Sequence, residues 1–126
     1  MRAVDTNVLV RLIVRDQPDQ ADAAETFIAK GAWVSHLVLA ATVWVLDAVY
    51  ERSAKQLAEA VAMLLEHKEL TVQDPDVVAA ALAQFRKRPS LGFSDCMVLE
   101  TARKAGHMPL ATFDRNLAKL ADTQRL

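Results

Sequence analysis

Short apolar runs and helical stripes follow each other along the whole chain. Met1–Val4 is a short, mostly apolar run that reads as a first strand, and Asp5-Thr6-Asn7 follows it directly. Val8 to Val14 continues as an apolar helix carrying Arg11 and Arg15, and Asp16-Gln17-Pro18 breaks it. Asp19 to Lys30 is a second helix, with Ala23, Phe27 and Ile28 able to share a face and Gly31 as its stop. Ala32–Ser35 is a short strand. Leu37 to Tyr50 is apolar nearly all round, which marks a helix buried on several sides, part of that burial available to a second subunit.

Ser53-Ala54-Lys55-Gln56 is a capping box. The helix after it carries Leu57, Val61, Leu64 and Leu65 on one stripe. Leu70–Val72 is a strand, and Asp74-Pro75 opens a helix with Val77, Val78, Ala81, Leu82 and Phe85 as its face. Arg86-Lys87-Arg88-Pro89 ends it. A further helix begins at Phe93-Ser94-Asp95-Cys96 and stops at Gly106. His107–Ala111 is a strand, Thr112-Phe113-Asp114 a turn, Arg115–Leu120 a short helix, and the tail from Ala121 an edge strand. Strand and helix alternate throughout, which predicts an α/β domain with a mainly parallel sheet.

Composition narrows this picture. A chain of 126 residues reads as one domain, 1–126, and 52% hydrophobic residues supply a sizeable core. The net charge is −1, so polyanion binding has to come from a local patch. The single cysteine, Cys96, excludes an internal disulfide and a Cys-based zinc site, in keeping with a cytoplasmic location. No signal peptide and no membrane span are expected.

Candidate chemistry lies with three acids. Asp5 follows the first strand, Asp114 follows the strand ending at Ala111, and Asp95 stands in the first turn of the helix leading into that strand. If those strands are neighbours at the sheet centre, the three carboxylates converge where ligands bind in open α/β sheets. Carboxylates without His or Cys suit a hard cation, Mg²⁺ or Mn²⁺, able to activate water for phosphodiester hydrolysis. The alternative is three helix caps, each contributing about 1 kcal/mol. Both readings place Asp at helix starts, and the residues alone leave them level.

The motifs resemble a known family. Val4-Asp5-Thr6-Asn7-Val8-Leu9 is similar to the opening motif of PIN-domain proteins of the VapC toxin type. Val34-Ser35-His36-Leu37-Val38-Leu39, continuing to Trp44-Val45-Leu46, resembles the second motif, Phe93-Ser94-Asp95-Cys96 the third and Thr112-Phe113-Asp114 the fourth. The ordered set, rather than any one motif, carries the resemblance, and it covers essentially the whole chain. It implies a PIN-like three-layer α/β/α fold, a Mg²⁺-dependent endoribonuclease with RNA as substrate, a homodimer, and a VapB-type antitoxin that blocks the site. It also implies Asp5, Asp95 and Asp114 as catalytic metal ligands. One position departs from the pattern: family members usually carry a Glu where this chain has Ala41. Ala cannot ligate a metal, so the site drops from four carboxylates to three. Ala41 reads as a deliberate or selected inactivating change, with natural divergence as the alternative. A non-catalytic protein that keeps the fold and binds an antitoxin or RNA is the second reading.

Other residues are weighed by their place. Thr6 and Thr112 can bond a water or phosphate, or serve as turn residues. Asn7 and Ser94 can orient the acids or bond local backbone. Arg11 and Arg115 are the cations expected nearest the site, for RNA phosphates or for the acids themselves. Arg86, Lys87 and Arg88 read as a solvated helix end. Cys96 reads as core. His36, His67 and His107 read as surface or strand-edge residues, and Trp33, Trp44, Tyr50 and Phe27 as core or dimer interface. A haloacid-dehalogenase-type site would want a second Asp at position 7, where Asn7 stands.

Overall fold

Arg2–Ala3, Ala32–Val34 and Leu70–Val72 form β1, β2 and β3, which pair side by side in that order, all parallel. The computed structural model describes residues 1–126, which divide into two compact units, Met1–Pro75 and Asp76–Leu126. The first unit also holds α1 (Thr6–Val14), α2 (Pro18–Ile28), α3 (His36–Ala48) and α4 (Ala54–Glu66). Alternation sets the strand faces. Ala32 and Val34 of β2 are buried while Trp33 between them is exposed, and β3 repeats this with Leu70 and Val72 around Thr71. Trp33 is therefore an outward strand residue of this chain, not a core one.

Helix ends follow local chemistry. Gln17 leads into Pro18 at the start of α2, where Pro's fixed φ suits the first turn. Ser35, expected inside β2, instead caps α3, its Oγ accepting from Val38 N at 3.1 Å. The capping box at α4 is present in both directions, Gln56 N to Ser53 Oγ and Ser53 N to Gln56 Oε1. His36 is not a free surface residue. Its N–H donates to Gln73 Oε1 at 2.9 Å and its Nε2 lies 2.6 Å from Gln73 O. A carbonyl can only accept, so Nε2 carries the proton. These two bonds fix the start of α3 to the end of β3.

Of the several-sided burial expected for α3, this chain supplies one side. Leu39, Thr42, Val43 and Leu46 are buried, and the helix contacts α1 and α4. Leu37, Ala41, Trp44 and Ala48, spaced at four, three and four residues, form an exposed face. One chain has nothing to lay on that side.

The second unit holds α5 (Pro75–Lys87), α6 (Phe93–Ala105), β4 (Leu110–Thr112) and β5 (Thr123–Arg125), with 3₁₀ turns at Pro89–Leu91 and Leu117–Lys119. The five apolar positions read on α5 are all buried. Phe85 and Phe93 meet edge to face, centroids 6.0 Å apart. Gly92 (φ +78°) and Gly106 (φ +81°) bound α6 in conformations that disfavour a side chain. The fourth strand begins three residues later than its apolar run suggested. Pro109 offers no N–H to a ladder, so pairing starts at Leu110. The tail does form a strand, β5, parallel to β4. The helix expected over Arg115–Leu120 shrinks to the 3₁₀ turn. No helix is long and apolar enough to cross a membrane.

Arg103 of α6 fastens the turn before β5. Its Nη1 lies 2.6 Å from Oε1 of buried Glu100, its Nε 3.1 Å from Asp122 Oδ2, and its Nη2 donates to Ala121 O at 2.8 Å. Removing one partner of a buried ion pair leaves an uncompensated charge. Arg103→Ala is therefore expected to lower unfolding free energy by about 3 kcal/mol in urea titration. A loss below about 1 kcal/mol, the scale of an exposed pair, would contradict this assignment.

Candidate active site

Asp114 lies two residues beyond the end of β4, as Asp5 lies two residues beyond β1. Strand ends deliver both acids, as their sequence positions imply. Their bonding differs. Asp114 Oδ1 accepts from Asn116 N at 2.7 Å and Leu117 N at 3.0 Å, starting the 3₁₀ turn. Its own N–H donates to Thr112 Oγ1 at 3.0 Å, so Thr112 acts as a turn residue here. Asp5 Oδ1 accepts only from Thr6 N, at 2.7 Å. In both acids Oδ2 has no protein donor.

Asp95 separates the cap reading from the metal reading. It stands in the first turn of α6, whose N-cap is Gly92, and it accepts no protein hydrogen bond. A capping role therefore does not explain it. Burial, and then the negative charge of Asp114, hold its carboxyl above the usual carboxylate range. Cys96 beside it is fully buried, and burial with the charges of Asp95 and Glu100 pushes its thiol up to about 11. That makes Cys96 an inert core residue.

The turn that carries Asp114 is braced to the turn before the helix that carries Asp95. Asn116, whose backbone N–H bonds Asp114, donates its side-chain amide to Ser90 Oγ at 2.9 Å in the turn before α6. Nothing in the residue pattern marks Ser90 or Asn116, since a bond between two turn residues has no periodic signature.

The donor set suits a hard cation that keeps much of its own water. No three His, Cys, Asp or Glu side chains are grouped so that together they could hold a metal ion. Mg²⁺ is commonly held through one or two carboxylates, waters and substrate phosphate rather than by an all-protein cage. Asp95 and Asp114 offer unpaired oxygens and repel each other, which a divalent ion would relieve.

The remaining expected residues divide. Thr6 is half-buried and makes no side-chain bond, and Asn7 is exposed. Asn7 and Arg11 line an open, mostly apolar cleft of about 340 Å³ with Val8, Gln20, Ala23 and Phe27. Arg11 is already engaged, with Nε 2.6 Å from Gln20 Oε1 and Nη1 3.3 Å from Asp16 Oδ1 and 3.2 Å from Tyr50 OH. Tyr50 is thus a hydrogen-bonding partner on this surface rather than core packing. Arg115 is exposed and pairs with no carboxylate. Ala41 is exposed on α3, with room for a longer side chain. Phe113, which the hydrophobic pattern gave no role, is 79% exposed beside Asp114.

A raised carboxyl pKa means that the folded chain holds the proton more tightly than the unfolded chain does. No penalty exists while both states are protonated, and the full cost is present once both are ionised. Asp95→Asn is therefore expected to raise the thermal midpoint at pH 7 in metal-free buffer. That gain should fade as pH falls toward the unfolded Asp value of about 4 and be absent below it. A midpoint lowered at pH 7, or a gain that persists at acid pH, would refute the assigned cause.

Comparison with known proteins gives one match and two blanks. The family described as PIN domain matches residues 2–123. No curated protein matches, and no solved structure matches. The matched stretch includes Asp5, Asp95 and Asp114, and the parallel strands with six helices fit that fold. PIN domains are typically nucleases that use divalent metal ions. On this match the chain belongs to the PIN domain family.

Proposed function

We propose that this chain, as one PIN-like domain, is a Mg²⁺-dependent endoribonuclease of the VapC type, the cytoplasmic toxin of a toxin–antitoxin pair, with Mn²⁺ able to replace Mg²⁺. The observation that carries the reading is Asp95, uncapped, partly buried and pressed by the charge of Asp114. Asp5 is proposed as the third carboxylate. The motif order noted above supports the toxin assignment. A bound divalent ion would supply positive charge to the phosphate and lower the pKa of an attacking water.

The chain's own residues then have distinct tasks. Asp114 gives Oδ1 to the backbone of Asn116 and Leu117, which fixes its direction and leaves Oδ2 for the cation. Asp95, with no protein donor, is the carboxylate most available to ligate. Thr6 and Asn7 stand next to Asp5 and are proposed to hold a phosphate or water there. Thr112 sets the turn under Asp114. Arg115 is the proposed phosphate contact. Arg11 reaches RNA only by giving up Gln20, Asp16 or Tyr50.

Partners belong to the same reading: a VapB-type antitoxin covering the acids, and a second copy of the chain. Leu37 (84% exposed) and Trp44 (64%) on the open face of α3 support a protein contact there.

Ala41 supports a second reading, a PIN-fold protein that binds an antitoxin or RNA without chemistry. An exposed helical Ala makes the fourth carboxylate absent but easily restored. Cleavage of a panel of structured RNAs by this chain and by Ala41→Glu, with Mg²⁺ and with a chelator, tests the pair. The nuclease reading expects chelator-sensitive cutting by Ala41→Glu, at least about a hundredfold faster than by the Ala form, the scale of a well-placed catalytic group. A folded Ala41→Glu protein that cuts no RNA leaves the binding reading.

A further inference from the structure

Phe113 is the most exposed aromatic ring of the chain, at 79%. It sits in the turn between Thr112, which ends β4, and Asp114. An apolar ring left in water at a turn contributes nothing to folding, and packing does not explain it.

Its surroundings are cationic. Arg115, two residues on, is exposed and pairs with no carboxylate. Arg125 is exposed and unpaired as well, and it is the register partner of Thr112 in the parallel β4–β5 pair. Adjacent strands lie about 4.8 Å apart, and Leu126 N–H donates to Thr112 O at 2.9 Å. Arg125 thus emerges beside the turn that carries Phe113. Arg103 in the same unit, by contrast, is tied to Glu100 and Asp122. The Thr112–Arg115 turn therefore combines a bare aromatic face, two unneutralised guanidinium groups and the Asp114 carboxylate.

We propose that Phe113, flanked by Arg115 and Arg125, is a seat for an unpaired RNA nucleotide. The ring stacks on the base, and the two cations hold the neighbouring phosphates. Aromatic faces between cations bind single strands because every base has a π-face and every linkage a charge. A base inside a duplex already has both faces covered, so the seat selects unpaired RNA and presents the adjoining phosphate near Asp114. The inference rests on the nuclease reading for why RNA comes here, and it makes no use of the metal.

Fluorescence anisotropy of a 5′-labelled oligouridylate about ten residues long, spanning one single-strand site, and of its duplex with oligoadenylate, in Ca²⁺, tests the seat. Phe113→Ala is expected to weaken oligouridylate binding about tenfold, the scale of one lost base stack, with the duplex unaffected. Phe113→Trp is expected to restore it. An unchanged thermal midpoint is expected for both, because the ring is exposed. Equal binding by Phe113→Ala and the unsubstituted chain overturns the proposal. So does an equal loss on duplex, failure of Trp to restore, or absence of any oligouridylate binding by the unsubstituted chain. The catalytic reading is scored separately. If Ala41→Glu cuts nothing while Phe113→Ala still loses oligouridylate, the seat stands and the nuclease reading falls.

Discussion

Asp95 is held where burial and a second carboxylate both resist its ionisation, and much of the second unit serves to keep it there. The helix that carries it is bounded by two glycines at positive φ. Ser90 and Asn116 join the loop before that helix to the turn holding Asp114. Arg103 ties the same helix to the turn that leads into β5, the strand paired with β4. A partly buried carboxylate facing a second one is the arrangement that the proposed metal site calls for.

The same logic ranks the three acids. Asp114 has a complete structural role, two backbone donors on one oxygen, yet its other oxygen is unpaired. Asp5 has one short bond to the next residue's N–H, a weaker version of that arrangement. Asp95 has none. The cap and ligand readings thus coexist in Asp114, where one oxygen can serve each, while Asp95 makes no capping bond and stands in the first turn of α6, where a helix N-terminus favours a carboxylate. For Asp5 the PIN motif carries the assignment.

Where local chemistry dominates, the fold was legible in the residues. The capping box at Ser53, the Pro75 helix start, the buried face of α5 and the stop at Gly106 depend on neighbours within a few positions. The strand ends that deliver Asp5 and Asp114 were legible for the same reason. Long-range partners were not. No pattern reveals that His36 bonds Gln73, that Tyr50 meets Arg11, or that Asn116 reaches Ser90. Pro109 shifted β4 by denying a ladder donor to an otherwise apolar run. Hydrophobicity alone also did not show which apolar residues stay in water: α3 presents an apolar face outward, and Phe113 is exposed. Periodicity marks a face as apolar without saying whether this chain covers it, and part of the burial of α3 was left to a second subunit for that reason.

Calorimetric titration of Mn²⁺ into the metal-free chain, its Asp95→Asn form and its Asp114→Asn form tests the central claim most directly. A divalent seat built on these two carboxylates predicts measurable binding to the unsubstituted chain. Each substitution should weaken it at least about tenfold, the cost of about 1.4 kcal/mol of lost ligation. Equal affinity in all three proteins would mean that the repulsion between Asp95 and Asp114 serves no cation, and the metal centre would have to be withdrawn.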